Sequence, residues 1–168
     1  MNETALMVEP RLRLAFFLGA FVVMALLEFV FARRKRPYTR VQRWPGNLLL
    51  VVLNTIVVRL VLPMSAVQWA AWCAERGIGA LNFVGAGLPF AVQVVVACLG
   101  LELIIYWQHV VFHYVPWLWR LHRVHHADLD LDVTSGTRFH FIEIIISLAI
   151  KFASIALLGA SALAVLIF

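Results

Sequence analysis

Long apolar segments constrain this chain more than any other feature of its sequence. Four of them could each cross a bilayer as an α-helix, and they cover about residues 12–32, 48–72, 88–113 and 144–168. A helix needs roughly 20 apolar residues to cross about 30 Å of hydrocarbon. The chain is 63% hydrophobic and only 14% charged, unlike soluble domains. We therefore predict an all-α, polytopic transmembrane helical bundle of about four spans, forming a single domain over residues 1–168.

The second segment is less regular than the others. Arg59 lies near its middle and Pro63 follows, which removes a backbone donor and favours a kink. A kinked span and a re-entrant pair of half-helices both fit this pattern. Because an arginine facing lipid is costly, Arg59 is expected to pair with an acid or to line a polar cavity.

The basic residues predict the orientation of the bundle. Six of the 14 Lys and Arg residues lie at positions 33–43, directly after the first apolar segment. Cytoplasmic loops are enriched in such residues, so this loop and the segment between spans three and four should face the cytoplasm, with a bacterial inner membrane favoured. No nucleic-acid-binding module accompanies the net charge of +5, so we predict a membrane rather than a nucleic acid as partner.

Five histidines fall within eighteen residues, at the end of the third apolar segment and just beyond it. They are His109, His113, His122, His125 and His126. The first two stand four positions apart, as do the third and the fifth, so each such pair shares one face if its segment is helical. Paired imidazoles at this spacing can reach one metal ion. We predict a metal site held by these histidines in a helical, cytoplasmic segment.

The third span carries other polar groups on the histidine face. Glu102 and Tyr106 lie within an arc of about 60° with His109 and His113. Such a stripe is costly against lipid, so it is expected to face a protein interior or a cavity. Glu102 and Tyr106 are then candidates for supporting hydrogen bonds to the histidine rings.

Residue type alone does not choose the metal, because imidazole binds zinc, copper, iron and nickel. Five or six histidines suggest two metal ions, or one ion with supporting residues. Haem ligation needs only one or two histidines and leaves the cluster of His122, His125 and His126 unexplained. His140 alone could be an ordinary side chain at the membrane interface.

One longer pattern resembles a known family. Tyr106-Trp107-x-His109-x3-His113-x2-Pro116-x-Leu118-Trp119-Arg120-x-His122-x2-His125-His126-x-Asp128, followed by Thr137-Arg138-Phe139-His140-x2-Glu143, is similar to the fatty acid hydroxylase/sterol desaturase superfamily. The resemblance is strongest over positions 100–145. The Arg43-Trp44-x2-Asn47 segment also looks like bacterial members.

The resemblance implies a non-haem di-iron oxidoreductase that hydroxylates or desaturates a fatty acyl or sterol-like C–H bond. It would use O2 and electrons from a separate donor. The metal ligands would be His109, His113, His122, His125 and His126, with no further catalytic residue assigned. His140, Glu143 and Asp128 would support these ligands or add to them, and zinc is the alternative to the two irons.

The family's further histidine boxes do not appear in this chain. We therefore expect a truncated form of a longer domain, whose missing ligands come from a continuation or a partner. The alternative is a catalytically inactive remnant, or a structural or interaction membrane protein, with a single zinc or other metal site.

Overall fold

The computed structural model describes residues 3–31 and 38–168. The predicted basic cluster at positions 33–36 and the end of the first predicted span lie outside the described residues. Within them every regular element is helical, and there are no strands. In chain order the helices are α1 (Glu3–Val30), α2 (Arg40–Val61), α3 (Ala66–Glu75), α4 (Ala80–Phe83), α5 (Phe90–Tyr114), α6 (Pro116–His126), α7 (Phe141–Leu158) and α8 (Ala162–Ile167).

Three helical stretches in the described part of the chain are long and apolar enough to cross a membrane. They are Arg40–Glu75, Phe90–Tyr114 and Phe141–Leu158, and a shorter apolar stretch runs over Leu14–Val30. Many large apolar side chains on α1, α2 and α5 are exposed, as expected of helices that face lipid. The chain is therefore an all-α membrane protein.

Proline and glycine divide two of the predicted spans. The second is interrupted around Pro63, between α2 and α3, where the sequence predicts a kink. The fourth, predicted as one span over residues 144–168, ends early because Gly159 closes α7 in the left-handed conformation, with φ of 70°. Ser161 then caps α8 by accepting a hydrogen bond from the Ala164 amide.

The apolar core lies where α3, α5, α7 and α8 meet. Its fully buried members include Val67, Leu101, Ile155 and Val165. At the opposite end of α7, Asn54 of α2 donates a hydrogen bond of 2.9 Å to the Phe139 carbonyl. The core therefore holds one end of the bundle together, and the histidine-rich segment lies at the other.

Candidate metal centre

A proline turn brings the two histidine pairs together. Val115 has an extended backbone, as residues before proline prefer, and Pro116 begins α6, where its missing N–H leaves no helical hydrogen bond unmade. Because α6 begins only two residues after α5 ends, the two helices pack against each other. The segment that carries His122 and His126 is helical, so its two rings lie one turn apart on one face.

The two pairs converge on one point. The ligating nitrogens of His109, His113, His122 and His126 all lie within 4.8 Å of one another. The Nε2 atoms of His109 and His113 are 3.1 Å apart, and those of His122 and His126 are 3.3 Å apart. Two nitrogens bound at 2.0–2.1 Å to a tetrahedral ion are roughly 3.3 Å apart, so these spacings fit one metal ion.

His122 is the most constrained of the four. It is 1% exposed, and its Nδ1 lies 2.6 Å from Oε1 of Glu143, the third residue of α7. A proton on Nδ1 donated to this carboxylate leaves the Nε2 lone pair directed at the cluster. Glu143 is also buried, and its second oxygen, Oε2, has no hydrogen-bond partner. The Glu143 contact therefore selects the tautomer that can bind a metal.

The histidines of α6 favour the neutral form. Burial lowers the pKa of His122 to about 4, and the charges of His113 and His126 act in the same direction. Burial also lowers the pKa of His125 and of His126. Because metal ions bind the neutral ring, these imidazoles are ready to bind a metal at neutral pH.

His125 and His140 lie apart from the group of four. The His125 ring stacks on Phe139 at a centroid distance of 4.8 Å, and its Nδ1 is buried without a hydrogen-bond partner. Its ring centroid lies 5.1 Å from that of His126, so it borders the cluster. His140 is the N-cap of α7, where its Nδ1 accepts a hydrogen bond from the Ile142 amide.

Of the two expected surroundings of the polar stripe on α5, a protein interior or a cavity, the structure excludes the protein interior. Glu102, Tyr106, His109 and His113 are all exposed in the described part of the chain. The Tyr106 ring contacts Trp107, and among the described residues no hydrogen bond joins Glu102 or Tyr106 to a histidine. The cluster is therefore open along the α5 face.

Asp128 belongs to a different group, a buried polar network beneath the site. Its carboxylate pairs with Arg43 at 3.1 Å and accepts a hydrogen bond of 3.0 Å from Asn47. Arg43 also pairs with Asp132 and donates to the Asp130 carbonyl. The network ties α2 to the loop that follows α6. The alternating aspartates at positions 128, 130 and 132 could have indicated this network from the sequence, but only Asp128 was considered, as a support for the histidines.

The network also sets the ionisation of its acids. Burial would raise the pKa of Asp132, but hydrogen bonds from Thr134 and Trp44 and the charge of Arg43 outweigh it, so the pKa lies below its usual range. Asp132 is therefore ionised at neutral pH. The loop is held by a paired charge that stays fixed across the physiological range.

Comparisons with known proteins give a match over the segment that carries the histidine cluster. The fatty acid hydroxylase family profile matches residues 94–168, which include α6, α7 and all six histidines. A relative named ornithine lipid hydroxylase OlsE, from Rhizobium tropici, is 38% identical over 72 residues, which cover 43% of this chain and 22% of the relative. The match thus spans about a fifth of that relative's length. No solved structure matches significantly. Residues 94–168 of this chain are therefore similar to the fatty acid hydroxylase superfamily.

Proposed function

We propose that this chain is a membrane-bound, lipid hydroxylase-type oxidoreductase whose metal ion is held by His109, His113, His122 and His126. The observation that carries the proposal is the approach of four ligating nitrogens to within 4.8 Å of one another. Two hydrogen-bonded imidazole pairs would explain each short distance separately. Hydrogen bonds within each pair would not explain why the two pairs face each other across the proline turn.

The family makes iron the expected metal. Iron bound here would supply the activation of O2 for oxidation of a lipid C–H bond, with electrons from a separate donor. The four histidine ligands leave one side of the proposed ion accessible, because three of the four rings are exposed. An acyl chain can then approach from the bilayer along the α5 face. The ornithine lipid in the relative's name makes such lipids the first substrates to assay, for hydroxylation or desaturation.

Two irons, as the family resemblance implies, need more ligands than the four clustered rings. His125 is the nearest further donor, since its Nδ1 is buried beside the cluster with no hydrogen-bond partner. We expect His125 to serve a second ion. Additional histidines from a continuation of the chain or from a partner would complete that second site.

Glu143 has a positioning role in this proposal. Its Oε1 is 2.6 Å from Nδ1 of His122, and it approaches no other ring of the cluster within hydrogen-bond distance. The amide oxygen of Glu143→Gln can still accept a hydrogen bond from Nδ1 of His122, whereas Glu143→Ala has no acceptor there. Loss of such supporting contacts lowers metal affinity by about 10- to 100-fold. We expect metal affinity to fall in Glu143→Ala and to recover largely in Glu143→Gln, as measured by competition with a chelator of known affinity.

Metal analysis of the detergent-purified chain tests the ligand set. We expect iron in the wild-type protein and its loss in His122→Ala. His140→Asn is the matched control, because asparagine can also cap α7 and His140 lies outside the cluster. Equal metal content in His122→Ala and wild type, in folded protein, would contradict the ligand assignment.

Four histidines also suit a second candidate function, a structural zinc site. Structural zinc has four protein ligands and no open position, and the group of four matches that number. This candidate predicts one tightly bound zinc per chain and no O2-dependent lipid product. Incubation with ornithine lipid, O2 and a reductant, followed by mass spectrometry, distinguishes the two: a product 16 mass units heavier supports the hydroxylase.

We further propose that the protein lies in a bacterial inner membrane, with the histidine cluster facing the cytoplasm. The basic residues of the sequence carry this orientation. Single cysteines introduced on α6, in a variant without Cys73 and Cys98, would report it through labelling of intact cells. If a membrane-impermeant reagent labels these cysteines in intact cells, the histidine cluster faces the outside and the proposed orientation is wrong.

A further inference from the structure

The last turn of α6 ends in His126, and an arginine from the loop before α7 holds the backbone of this turn. The final carbonyls of a helix have no partner within the helix, and cations near this end are favourable. The Nε atom of Arg138 donates a hydrogen bond of 3.2 Å to the Val124 carbonyl. The Ala127 amide donates to the same oxygen at the longer distance of 3.4 Å. Arg138 therefore caps the end of α6 two residues before His126.

Arg138 is itself held from the side of α2. Its Nη1 atom donates a hydrogen bond of 2.9 Å to Oδ1 of Asn47 and lies 3.7 Å from a carboxylate oxygen of Asp128. Asn47 is 1% exposed, and its amide nitrogen donates to Asp128 at 3.0 Å and to Thr134 at 2.8 Å. These contacts direct the Asn47 oxygen at Arg138. The guanidinium consequently joins the end of α6 to the buried polar network beneath the site.

Two of the three histidines of α6 are held by side chains of the segment that begins with Arg138. The Phe139 ring stacks on the His125 ring at a centroid distance of 4.8 Å. Glu143 lies 2.6 Å from Nδ1 of His122 and accepts its hydrogen bond. These two rings are therefore held by direct contacts with side chains, whatever the backbone at the end of α6 does.

His126 lacks a support of this kind. It is exposed, and within residues 3–31 and 38–168 its ring contacts only other histidine rings and Trp119. The helix backbone therefore sets the place of this ring before a metal binds. Because helix ends fray, a ligand on the last residue of a helix is preorganised only if that last turn is held. The hydrogen bond from Arg138 to Val124 holds it.

From these observations we propose that Arg138 is a positioning residue of the metal centre, which holds the last turn of α6 so that His126 meets the other three ligands. Its guanidinium contacts none of the four clustered rings, so the effect passes through the Val124 carbonyl. The inference rests on the proposed function, because it assumes that the four histidines bind a metal ion. Loss of the guanidinium should therefore lower metal affinity although no ligand is changed.

Binding of Co²⁺ to the full chain in detergent tests the proposal. Competition with a chelator would measure the affinity, and the visible spectrum of bound Co²⁺ would report its coordination geometry. Arg138→Gln should bind Co²⁺ about tenfold more weakly than wild type, the lower limit for residues that support metal ligands. Its spectrum should also change, because His126 would bind less completely. Arg123→Gln is the matched control: that arginine of α6 is exposed and lies outside the cap, so both readouts should stay unchanged.

A double-mutant cycle separates positioning from a general loss of stability. If Arg138 acts through His126, Arg138→Gln should have little further effect on Co²⁺ affinity in a His126→Ala chain, but its full effect in a His109→Ala chain. Equal losses in the two backgrounds would overturn the proposal. An affinity of Arg138→Gln within about twofold of wild type would also overturn it.

Hydrogen exchange of the metal-free chain gives a readout that needs no metal. The peptide that ends at Ala127 should exchange faster in Arg138→Gln than in wild type, and unchanged exchange would refute the role of the cap. If Arg138→Gln does not fold, Arg138→Lys keeps the charge beside Asp128 but lacks the Nε donor, so its Co²⁺ affinity should still fall, by a smaller factor. Wild-type protein that binds no Co²⁺ would refute the proposed metal site, whereas Co²⁺ bound equally by wild type and Arg138→Gln would refute this inference alone.

Discussion

Removal of the Arg43 guanidinium should strongly destabilise the end of the bundle that carries the histidines. Arg43 is 7% exposed and pairs with two buried carboxylates, those of Asp128 and Asp132. Arg43→Gln keeps much of the side-chain volume but leaves both acids without this counter-charge. Breaking a buried ion pair from one side costs about 3–5 kcal/mol. Asp128 keeps a distant partner, Arg138 at 3.7 Å, so we expect a loss near the lower limit, about 3 kcal/mol.

Unfolding in mixed detergent micelles, followed by tryptophan fluorescence, would measure this loss. Arg120→Gln is the matched control, since Arg120 is exposed on α6 and should change stability by no more than about 0.5 kcal/mol. A double-mutant cycle with Asp132→Asn should show a coupling energy of about 0.5–3 kcal/mol. The reasoning fails if Arg43→Gln costs less than about 1 kcal/mol or if the coupling is absent, because the network would then contribute little to stability.

Two other changes test different parts of the fold. Gly79→Ala should destabilise the protein or prevent its folding, because a Cβ there would lie 2.2 Å from the Gly159 amide nitrogen. Gly77→Ala is the control, because Gly77 also has a positive φ but a Cβ there would have no atom within 4 Å. Thermal unfolding of both variants therefore separates the effect of the clash from the strain of positive φ. Asp132 has a lowered folded pKa, so its stabilisation is present above the unfolded pKa, about 3.9, and is lost as pH falls through the folded value. Asp132→Asn should therefore flatten the stability profile in this acid range, and an unchanged profile would contradict the role of this charge.

The helices could be predicted from the sequence because apolar length and composition decide whether a segment crosses a bilayer. The break at Gly159 could not be predicted in this way, since Leu158 to Phe168 is almost wholly apolar and hydropathy does not register a left-handed glycine. The division of the second span was anticipated, because Pro63 removes a backbone donor. The break at Pro63 could therefore be predicted from the residue type, whereas the break at Gly159 depends on a backbone conformation that hydropathy does not report.

The candidate site, like the helices, could be predicted from the sequence only in part. Helical spacing predicts that His109 lies beside His113, and that His122 lies beside His126. Which face of α5 is covered depends on how the helices pack, so the sequence could not choose between a protein interior and a cavity for the histidine stripe, whose side chains are exposed. The role of Asp128 depends on Arg43, which is 85 positions earlier in the chain. No local pattern reports a contact of that range.

The proline turn between α5 and α6 has a consequence for how the site forms. All four clustered histidines lie within eighteen consecutive residues, so closing the chain around an ion costs little loop entropy. The four ligands of the proposed ion all come from this hairpin, and α7 contributes only Glu143, which contacts His122. The docking of Glu143 would select one ring tautomer and convert a loose chelate into a fixed coordination geometry. The contact between Glu143 and His122, in addition to the number of ligands, would then determine how firmly the proposed ion is held.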